Sequence, residues 1–208
     1  GLFRSEFIHL QAPESGEEVH LQHYLSVLKS LNGLPLTIRT LDLGGDKLPE
    51  GSADEENPFL GCRSIRWCLA NPEPFRAQIR AILRAGVHGP VRLMLPMITT
   101  IPELDRSLQI IDEVSDELRT EGVDFDENIP IGVMVEVPSL ALVANHVAHR
   151  VSFLSVGSND LVQYTLAVDR GNEQVADLYD PLHPAVLQLI SSLIRVGEEH
   201  DIRVCLCG

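Results

Sequence analysis

The sequence has few of the features that membrane-spanning, secreted or nucleic-acid-binding proteins need. No stretch approaches the roughly 20 apolar residues of a membrane helix, so we expect no transmembrane segment. The chain opens on Gly1-Leu2-Phe3-Arg4, without a Met or a basic and apolar leader, so a secretory signal is not expected. A net charge of −14 disfavours nucleic acid or anionic lipid as the main partner. We therefore expect a cytoplasmic protein.

Cysteine is also scarce, and its spacing is not that of a metal or disulfide site. The four cysteines, Cys62, Cys68, Cys205 and Cys207, show no CxxC pair. Cys205 and Cys207 lie two residues apart on one predicted strand, where they share a face. A zinc site or a disulfide framework is not expected, and a reducing compartment is the simpler setting.

Short apolar runs alternate with amphipathic segments along all 208 residues, which predicts parallel strands joined by helices in one domain, 1–208, or in part of a larger one. The strands are predicted at 1–7, 36–43, 91–97, 131–137, 151–157 and 202–207. Helices are predicted at 21–31 before Gly33, and at 72–85, 104–118, 138–149 and 184–199. This order fits either a doubly wound sheet or a (β/α)8 barrel.

The placement of polar residues favours the barrel. Polar side chains stand at or just past the carboxyl ends of the predicted strands, as a barrel places the residues of its active site. They are Arg4, Glu6, Asp42 through Lys47, Glu136, Asn159, Asp160 and Cys207. The sequence therefore predicts an α/β fold, a (β/α)8 TIM barrel of which about six of eight strands are present.

Two acids at strand ends are candidate metal ligands. Glu136 interrupts the apolar run "IGVMVEVP", where an unpaired carboxylate would be costly to bury. It is either paired with a base or a ligand of a hard metal such as Mg²⁺, which typically takes one or two carboxylates. Asn159 and Asp160 follow the next strand, where they either cap the following segment or complete that site.

Four arginines, Arg4, Arg39, Arg63 and Arg170, stand in strands or adjoining loops of a very acidic protein. Considered alone, each of these arginines is expected to be a salt-bridge partner or a solvated side chain. Together they fit bidentate binding of a phosphate and a carboxylate. "DLGGDK" adds a flexible glycine pair and Lys47, and fits a plain loop equally well. Cys207 is either an inert apolar residue or, beside arginines and a metal, a thiol acid or nucleophile.

Several long motifs, in order over nearly the whole chain, resemble one enzyme family. They are "GLFRSEF", "TIRTLDLGGDK", "ENPFLGCRSIR", "GVMVEVPSLAL", "SVGSNDLVQYTLAVDRGN", "YDPLHPAV" and "CLCG". These motifs resemble the phosphoenolpyruvate-binding domain of the phosphoenolpyruvate-protein phosphotransferases, the enzyme I proteins of the bacterial sugar phosphotransferase system.

The resemblance implies a reaction and its partners. The family uses phosphoenolpyruvate and Mg²⁺ to phosphorylate a histidine on its own N-terminal domain, releases pyruvate, and passes the phosphoryl group to an HPr-like carrier. Its C-terminal domain is a (β/α)8 barrel that also forms the homodimer contact. The phosphohistidine and carrier-binding domains would lie outside residues 1–208.

The resemblance also implies residue roles. Arg4, Arg39, Arg170, Asn159 and Asp160 match residues that bind phosphoenolpyruvate, and Arg63 lies close to the phosphate. Glu136 and Asp160 match the Mg²⁺ ligands. Cys207 matches the residue that protonates the pyruvate enolate.

Two alternatives stay open at the level of sequence. The chain could be the barrel of a pyruvate phosphate dikinase or phosphoenolpyruvate synthase, which share the metal and barrel logic but feed a nucleotide-binding domain. It could also be a non-catalytic module that binds phosphoenolpyruvate or dimerises. The branch of the family to which the chain belongs, whether sugar-linked, nitrogen-linked or a fused multi-domain version, also stays open.

Overall fold

The computed structural model of the chain describes residues 1–11, 16–42 and 56–207. The predicted glycine pair and Lys47 of "DLGGDK" lie outside the described residues, as does Gly208 of "CLCG". None of the helices within the described ranges has the length and apolar character required to cross a bilayer.

The described residues contain six strands, one at each predicted position. They are β1 (Leu2–Arg4), β2 (Leu36–Arg39), β3 (Val91–Leu95), β4 (Ile131–Val135), β5 (Phe153–Gly157) and β6 (Arg203–Cys207). The runs are rich in Val, Ile, Leu and Met because a parallel strand is covered on both faces. β5, for example, is buried at every residue.

Helices separate the strands within the same ranges. They are α1 (Glu6–Gln11), α2 (Glu17–Leu31), α3 (Ile65–Ala70), α4 (Pro72–Gly86), α5 (Ile101–Glu121), α6 (Pro138–Leu142), α7 (Ala144–Val147), α8 (Ser158–Leu166) and α9 (Pro184–Glu199). Helix ends follow the sequence signals: α4 and α9 begin at a proline, and α2 ends at Asn32 and Gly33, both at positive φ.

Several predicted elements are wrong in their bounds, among them the strand predicted at 36–43, which ends at Arg39. The first strand ends at Arg4 and not at residue 7, because the chain turns at Ser5, whose Oγ donates to the Arg39 carbonyl at 2.7 Å, and Glu6 already begins α1. The predicted helix at 138–149 is split at Val143, whose ψ of 12° departs from helical geometry, and a 3-10 turn follows α7.

The chain divides into two compact units. The first comprises residues 1–96 and 102–130, and the second comprises 97–101 and 131–208. In the first unit β2 pairs in parallel with β1 and β3, and in the second β5 pairs in parallel with β4 and β6. Sheet order follows chain order in both, as in a barrel, whereas a doubly wound sheet reverses its strand order. The predicted incomplete (β/α) barrel is confirmed.

The core of each unit is apolar and closely packed. In the first unit Tyr24, Phe75 and Ile79 are fully buried between helices and sheet, and in the second Val133, Leu154 and Leu193 are. On the surface of the first unit, Arg80 of α4 pairs with Glu17 of α2 and Glu121 of α5. These pairs join three helices at their exposed edge.

Close packing at Gly132 of β4 generates a prediction. A Cβ at this position would lie 2.5 Å from Cε2 and Cζ of the Phe153 ring, which is itself buried. Gly132→Ala should therefore lower the free energy of unfolding by about 1–3 kcal/mol, because the ring or the strand must move. Urea unfolding followed by circular dichroism measures this change.

Gly171→Ala is the matched control in the same unit, because its Cβ would meet only the exposed Asp169 side chain. Its urea midpoint should stay close to that of the unchanged chain. Equal midpoints for the two variants would contradict tight packing at Gly132.

Candidate active site

A chain of buried ion pairs lies at the carboxyl end of β2. The guanidinium Nη2 of Arg39 is 2.6 Å from Oε1 of Glu6 and 3.2 Å from Oδ2 of Asp42. The other oxygen of Asp42, Oδ1, is 3.0 Å from Nη2 of Arg63. Acid and base thus alternate from Glu6 to Arg63, and one carboxylate bridges two arginines that the sequence predicts as substrate-binding.

All four members of this chain are buried: the exposed fraction is 1% for Glu6, 6% for Arg39, 3% for Asp42 and 5% for Arg63. Charges removed from water in this way are tolerated only when they are paired and hydrogen-bonded in good geometry. The arginines are therefore held in fixed positions, unlike solvated surface arginines.

Backbone strain accompanies Arg63. The next residue, Ser64, has φ 55° and ψ −126°, a conformation that a residue with a Cβ rarely adopts. Ser64 is fully buried, and the Arg63 guanidinium stacks over the Phe59 ring at 5.7 Å from its centroid. Strain of this kind persists where surrounding contacts impose it, and it is concentrated at functional sites.

Arg4 is aligned with this group by strand register. It is the Cα partner of Arg39 across the parallel β1–β2 pair, and its side chain is exposed. The first unit therefore brings Arg39 and Arg63 together through Asp42 and places Arg4 on the strand beside Arg39.

The second unit places an acid, a glycine and a thiol in one row across three strand ends. Val135, the last residue of β4, is the partner of Val156, and Glu136 follows it so closely beside Gly157 that a Cβ at position 157 would lie 2.9 Å from the Glu136 Cβ. Gly157 is in turn the partner of Cys207 on β6. Because neighbouring parallel strands end at the same edge, these three residues lie side by side at the carboxyl edge of this part of the sheet.

Glu136 is buried at 1% exposure, and the backbone around it fits its carboxylate closely. Its Oε1 accepts the backbone N–H of Met97 at 2.6 Å, and Met97 adopts a φ of 53° to present that group. A Cβ at position 157 would lie 2.8 Å from Glu136 Oε2. The glycine therefore leaves the space that the carboxylate occupies.

Asp160 and Arg170 lie close to each other after β5. Asp160 stands in the first turn of α8, is 8% exposed, and has its Oδ1 3.6 Å from Nη2 of Arg170. That separation is an ion pair without a hydrogen bond, and Oδ1 is buried with no hydrogen-bond partner. The Arg170 backbone N–H donates to Oε1 of the buried Gln163 at 3.2 Å, which fixes the loop that carries it.

Asn159 is exposed at the start of α8, and Tyr179 contacts it. The Tyr179 hydroxyl lies 3.2 Å from the Asn159 carbonyl oxygen and 3.4 Å from its Oδ1. Ser158 Oγ donates to the Cys207 carbonyl at 3.4 Å, which links the start of α8 to β6. Cys207 is half-buried, and all four cysteines are free thiols.

The two predicted metal ligands fit a hard cation. Glu136 and Asp160 offer carboxylate oxygens, which Mg²⁺ prefers, and the orphaned Oδ1 of Asp160 is a buried acceptor of the kind a cation satisfies. No group of three or more His, Cys, Asp or Glu side chains in the described ranges is arranged to hold a metal. Two carboxylates agree with Mg²⁺, which keeps water and substrate oxygens as its other ligands.

The structure adds two residues to the candidate site that the sequence identifies only as polar strand-end positions. Glu6 and Asp42 pair with the arginines. The signal was present, because both acids follow strands that carry an arginine. Their pairing needs contacts across 33 residues for Glu6 and Arg39 and 21 residues for Asp42 and Arg63.

Comparison with known proteins identifies the family. The family model described as "PEP-utilising enzyme, PEP-binding domain" matches residues 1–208. The chain belongs to this family of phosphoenolpyruvate-utilising enzymes.

Curated relatives of this PEP-binding domain cover the whole chain. A phosphoenolpyruvate-protein phosphotransferase of Cupriavidus necator is 43% identical, and one of Priestia megaterium is 44% identical. The match spans 100% of this chain but only 36% and 37% of those proteins. The resemblance inferred from the motifs is confirmed, and the chain corresponds to just over a third of the relatives' length.

Solved structures share the fold at low identity. A citrate lyase from Burkholderia xenovorans aligns with a TM-score of 0.55 and 18% identity, over 92% of this chain and 61% of that one. A malate synthase from Haloferax volcanii aligns with a TM-score of 0.57 and 13% identity, over 92% and 45%. Likeness at this level shows the fold of the PEP-binding domain alone.

The bridging carboxylate of Asp42 generates a prediction about stability. Asp42→Asn removes the negative charge between two buried guanidinium groups and turns an amide N–H₂ toward one of them. The free energy of unfolding should fall by about 3–5 kcal/mol, the cost of leaving a buried charge uncompensated. Urea unfolding at pH 7 measures it.

Asp116→Asn is the matched control, because Asp116 pairs with Arg119 at 2.6 Å on the exposed face of α5. Water screens that pair, so its loss should change the urea midpoint little. If Asp42→Asn shifted the midpoint no more than Asp116→Asn, the buried ion-pair chain would not stabilise the fold.

Proposed function

We propose that this chain supplies the phosphoenolpyruvate and Mg²⁺ site of a phosphoenolpyruvate-protein phosphotransferase. The complete protein would move the phosphoryl group of phosphoenolpyruvate to a histidine of its own N-terminal domain, then to an HPr-like carrier, and release pyruvate. The observation that carries the proposal is the row of Glu136, Gly157 and Cys207 at one edge of the sheet. It aligns an acid for a cation with a thiol that can deliver a proton.

The arginines would bind the anionic substrate. Phosphoenolpyruvate carries a phosphate and a carboxylate, and guanidinium groups bind both in bidentate fashion. Arg39 and Arg63 are already fixed by Asp42, so little side-chain entropy would be lost on binding. Arg4, Arg170 and Asn159 would add exposed donors.

Glu136 and Asp160 would hold Mg²⁺, which when bound neutralises charge on the phosphate and enolate oxygens. The protein's own groups orient these acids: the Met97 N–H fixes one oxygen of Glu136, and the first turn of α8 presents Asp160.

The reaction would consist of a phosphoryl transfer followed by a proton transfer. A histidine nitrogen attacks phosphorus, the bond from phosphorus to the bridging oxygen breaks, and its electron pair stays on the enolate of pyruvate. The Cys207 thiol then donates its proton to C3 of the enolate, which becomes the keto form of pyruvate. Water returns a proton to the thiolate. The arginines stabilise the charge that spreads over the phosphoryl oxygens.

We propose that the complete protein works in the cytoplasm as a homodimer within the sugar phosphotransferase system. The relatives' names support a phosphotransferase over the two alternatives, a dikinase or synthase barrel and a non-catalytic binding module. A histidine phosphorylated by phosphoenolpyruvate without any nucleotide would separate the phosphotransferase from both.

The metal assignment is tested in the complete protein that contains this domain. Titration calorimetry should show that phosphoenolpyruvate binds in the presence of Mg²⁺. Glu136→Gln or Asp160→Asn should each reduce pyruvate formation by about a hundredfold or more, because an electrostatic contribution to the transition state is lost. Pyruvate release is measured with a coupled dehydrogenase.

Glu173→Gln, an exposed acid of the same unit, serves as the control and should keep the full rate. Near-normal rates in either site variant would refute the metal assignment. No binding of phosphoenolpyruvate at millimolar concentration would refute the proposed function as a whole.

The proton donor is tested by Cys207→Ala. Phosphoenolpyruvate should bind with nearly unchanged affinity, while pyruvate formation slows by about 10²–10⁴-fold, the usual contribution of a general acid. Cys205→Ala, which removes the exposed thiol two residues earlier on β6, should leave the rate unchanged. An unchanged rate in Cys207→Ala would make Cys207 an inert residue.

A further inference from the structure

Both backbone groups of Leu41, the residue just before Asp42, are bonded to buried side chains. Its N–H donates to Oε1 of Gln78 on α4 at 2.9 Å. Its carbonyl accepts from the Sγ of Cys68 on α3 at 3.7 Å. Leu41, Gln78 and Cys68 are all fully buried. The chain leaving β2 is therefore fixed from two helices at once.

The sheet does not supply these bonds. β2 ends at Arg39, and Thr40 still donates to the Met94 carbonyl of β3 at 3.0 Å. One residue later Leu41 has left the ladder, and a buried N–H without an acceptor would cost about 1–3 kcal/mol. Gln78 supplies that acceptor.

The orientation of the Gln78 amide is determined by its neighbours. A backbone N–H can only donate, so the oxygen of Gln78 must face Leu41. Its Nε2 then donates to the Tyr24 hydroxyl at 3.2 Å, and that hydroxyl lies 3.1 Å from Nδ1 of His20. Burial raises the pKa of Tyr24, so its hydroxyl stays protonated. A buried polar chain thus runs from α2 through α4 to the end of β2.

We propose that Gln78 is a positioning residue for the phosphate-binding arginines. It sets the place of Leu41, and the next residue, Asp42, holds Arg39 at 3.2 Å and Arg63 at 3.0 Å. A shift of about 1 Å in this backbone would break one of the two contacts and change the spacing of the two guanidinium groups. The inference rests on the proposed function, because it assigns the arginines to phosphoenolpyruvate.

The test is Gln78→Met in the complete protein, which keeps the length of the side chain and removes the acceptor. Calorimetry with phosphoenolpyruvate and Mg²⁺ should show affinity reduced by about tenfold to a hundredfold. Tyr24→Phe is the matched control: it removes a fully buried hydroxyl of the same polar chain and leaves the Gln78 oxygen on Leu41. Its affinity for phosphoenolpyruvate should change less than about threefold, because the loss of this hydroxyl does not move the binding site.

Urea unfolding separates positioning from stability. Both variants should lose stability, but only Gln78→Met should lose affinity; equal affinity in Gln78→Met and the unchanged protein would overturn the inference. If Gln78→Met does not fold, Gln78→Asn replaces it, because its shorter amide cannot reach Leu41. Its affinity for phosphoenolpyruvate is then compared with that of the unchanged protein in the same way. Absence of phosphoenolpyruvate binding in the unchanged protein would instead refute the proposed function.

Discussion

The pairing of Asp42 with two buried arginines is the interaction on which the rest of the first unit depends. Three charges with little access to water are acceptable only at hydrogen-bonding distance from one another. The strand end, the turn at Ser5 and the strained backbone of Ser64 all serve to bring these side chains to that distance. The fold of this region is thus set by polar contacts as much as by its apolar core.

In the second unit a backbone N–H contacts the buried acid Glu136. Glu136 is as buried as Asp42, and its Oε1 accepts the N–H of Met97, which adopts a left-handed conformation. Gly157 provides the space for the other oxygen. The Met97 N–H fixes one oxygen of the Glu136 carboxylate, whereas each oxygen of Asp42 lies against an arginine.

The sequence was sufficient to predict the strands and much of the candidate site, for a physical reason. Strands buried on both faces must be apolar throughout, so a charged residue such as Glu136 or Arg39 inside such a run stands out. Parallel pairing then places successive strand ends at one edge. The ends of some elements were harder to predict from the sequence. The helix break at Val143 contains no proline or glycine, and the turn at Ser5 depends on a hydrogen bond to Arg39, 34 residues away.

The burial and the role of Gln78 could not be predicted from the sequence. In "PEPFRAQIRAILRAG" it is one polar residue on a helix rich in arginine, and a glutamine there is usually exposed. Its burial becomes necessary only because Leu41 leaves the ladder beside α4 with an N–H that needs an acceptor. That need arises from tertiary structure and leaves no local pattern. The same reasoning applies to Asp42, whose role depends on which two arginines the fold brings to its two oxygens, and not on the residues next to it in the chain.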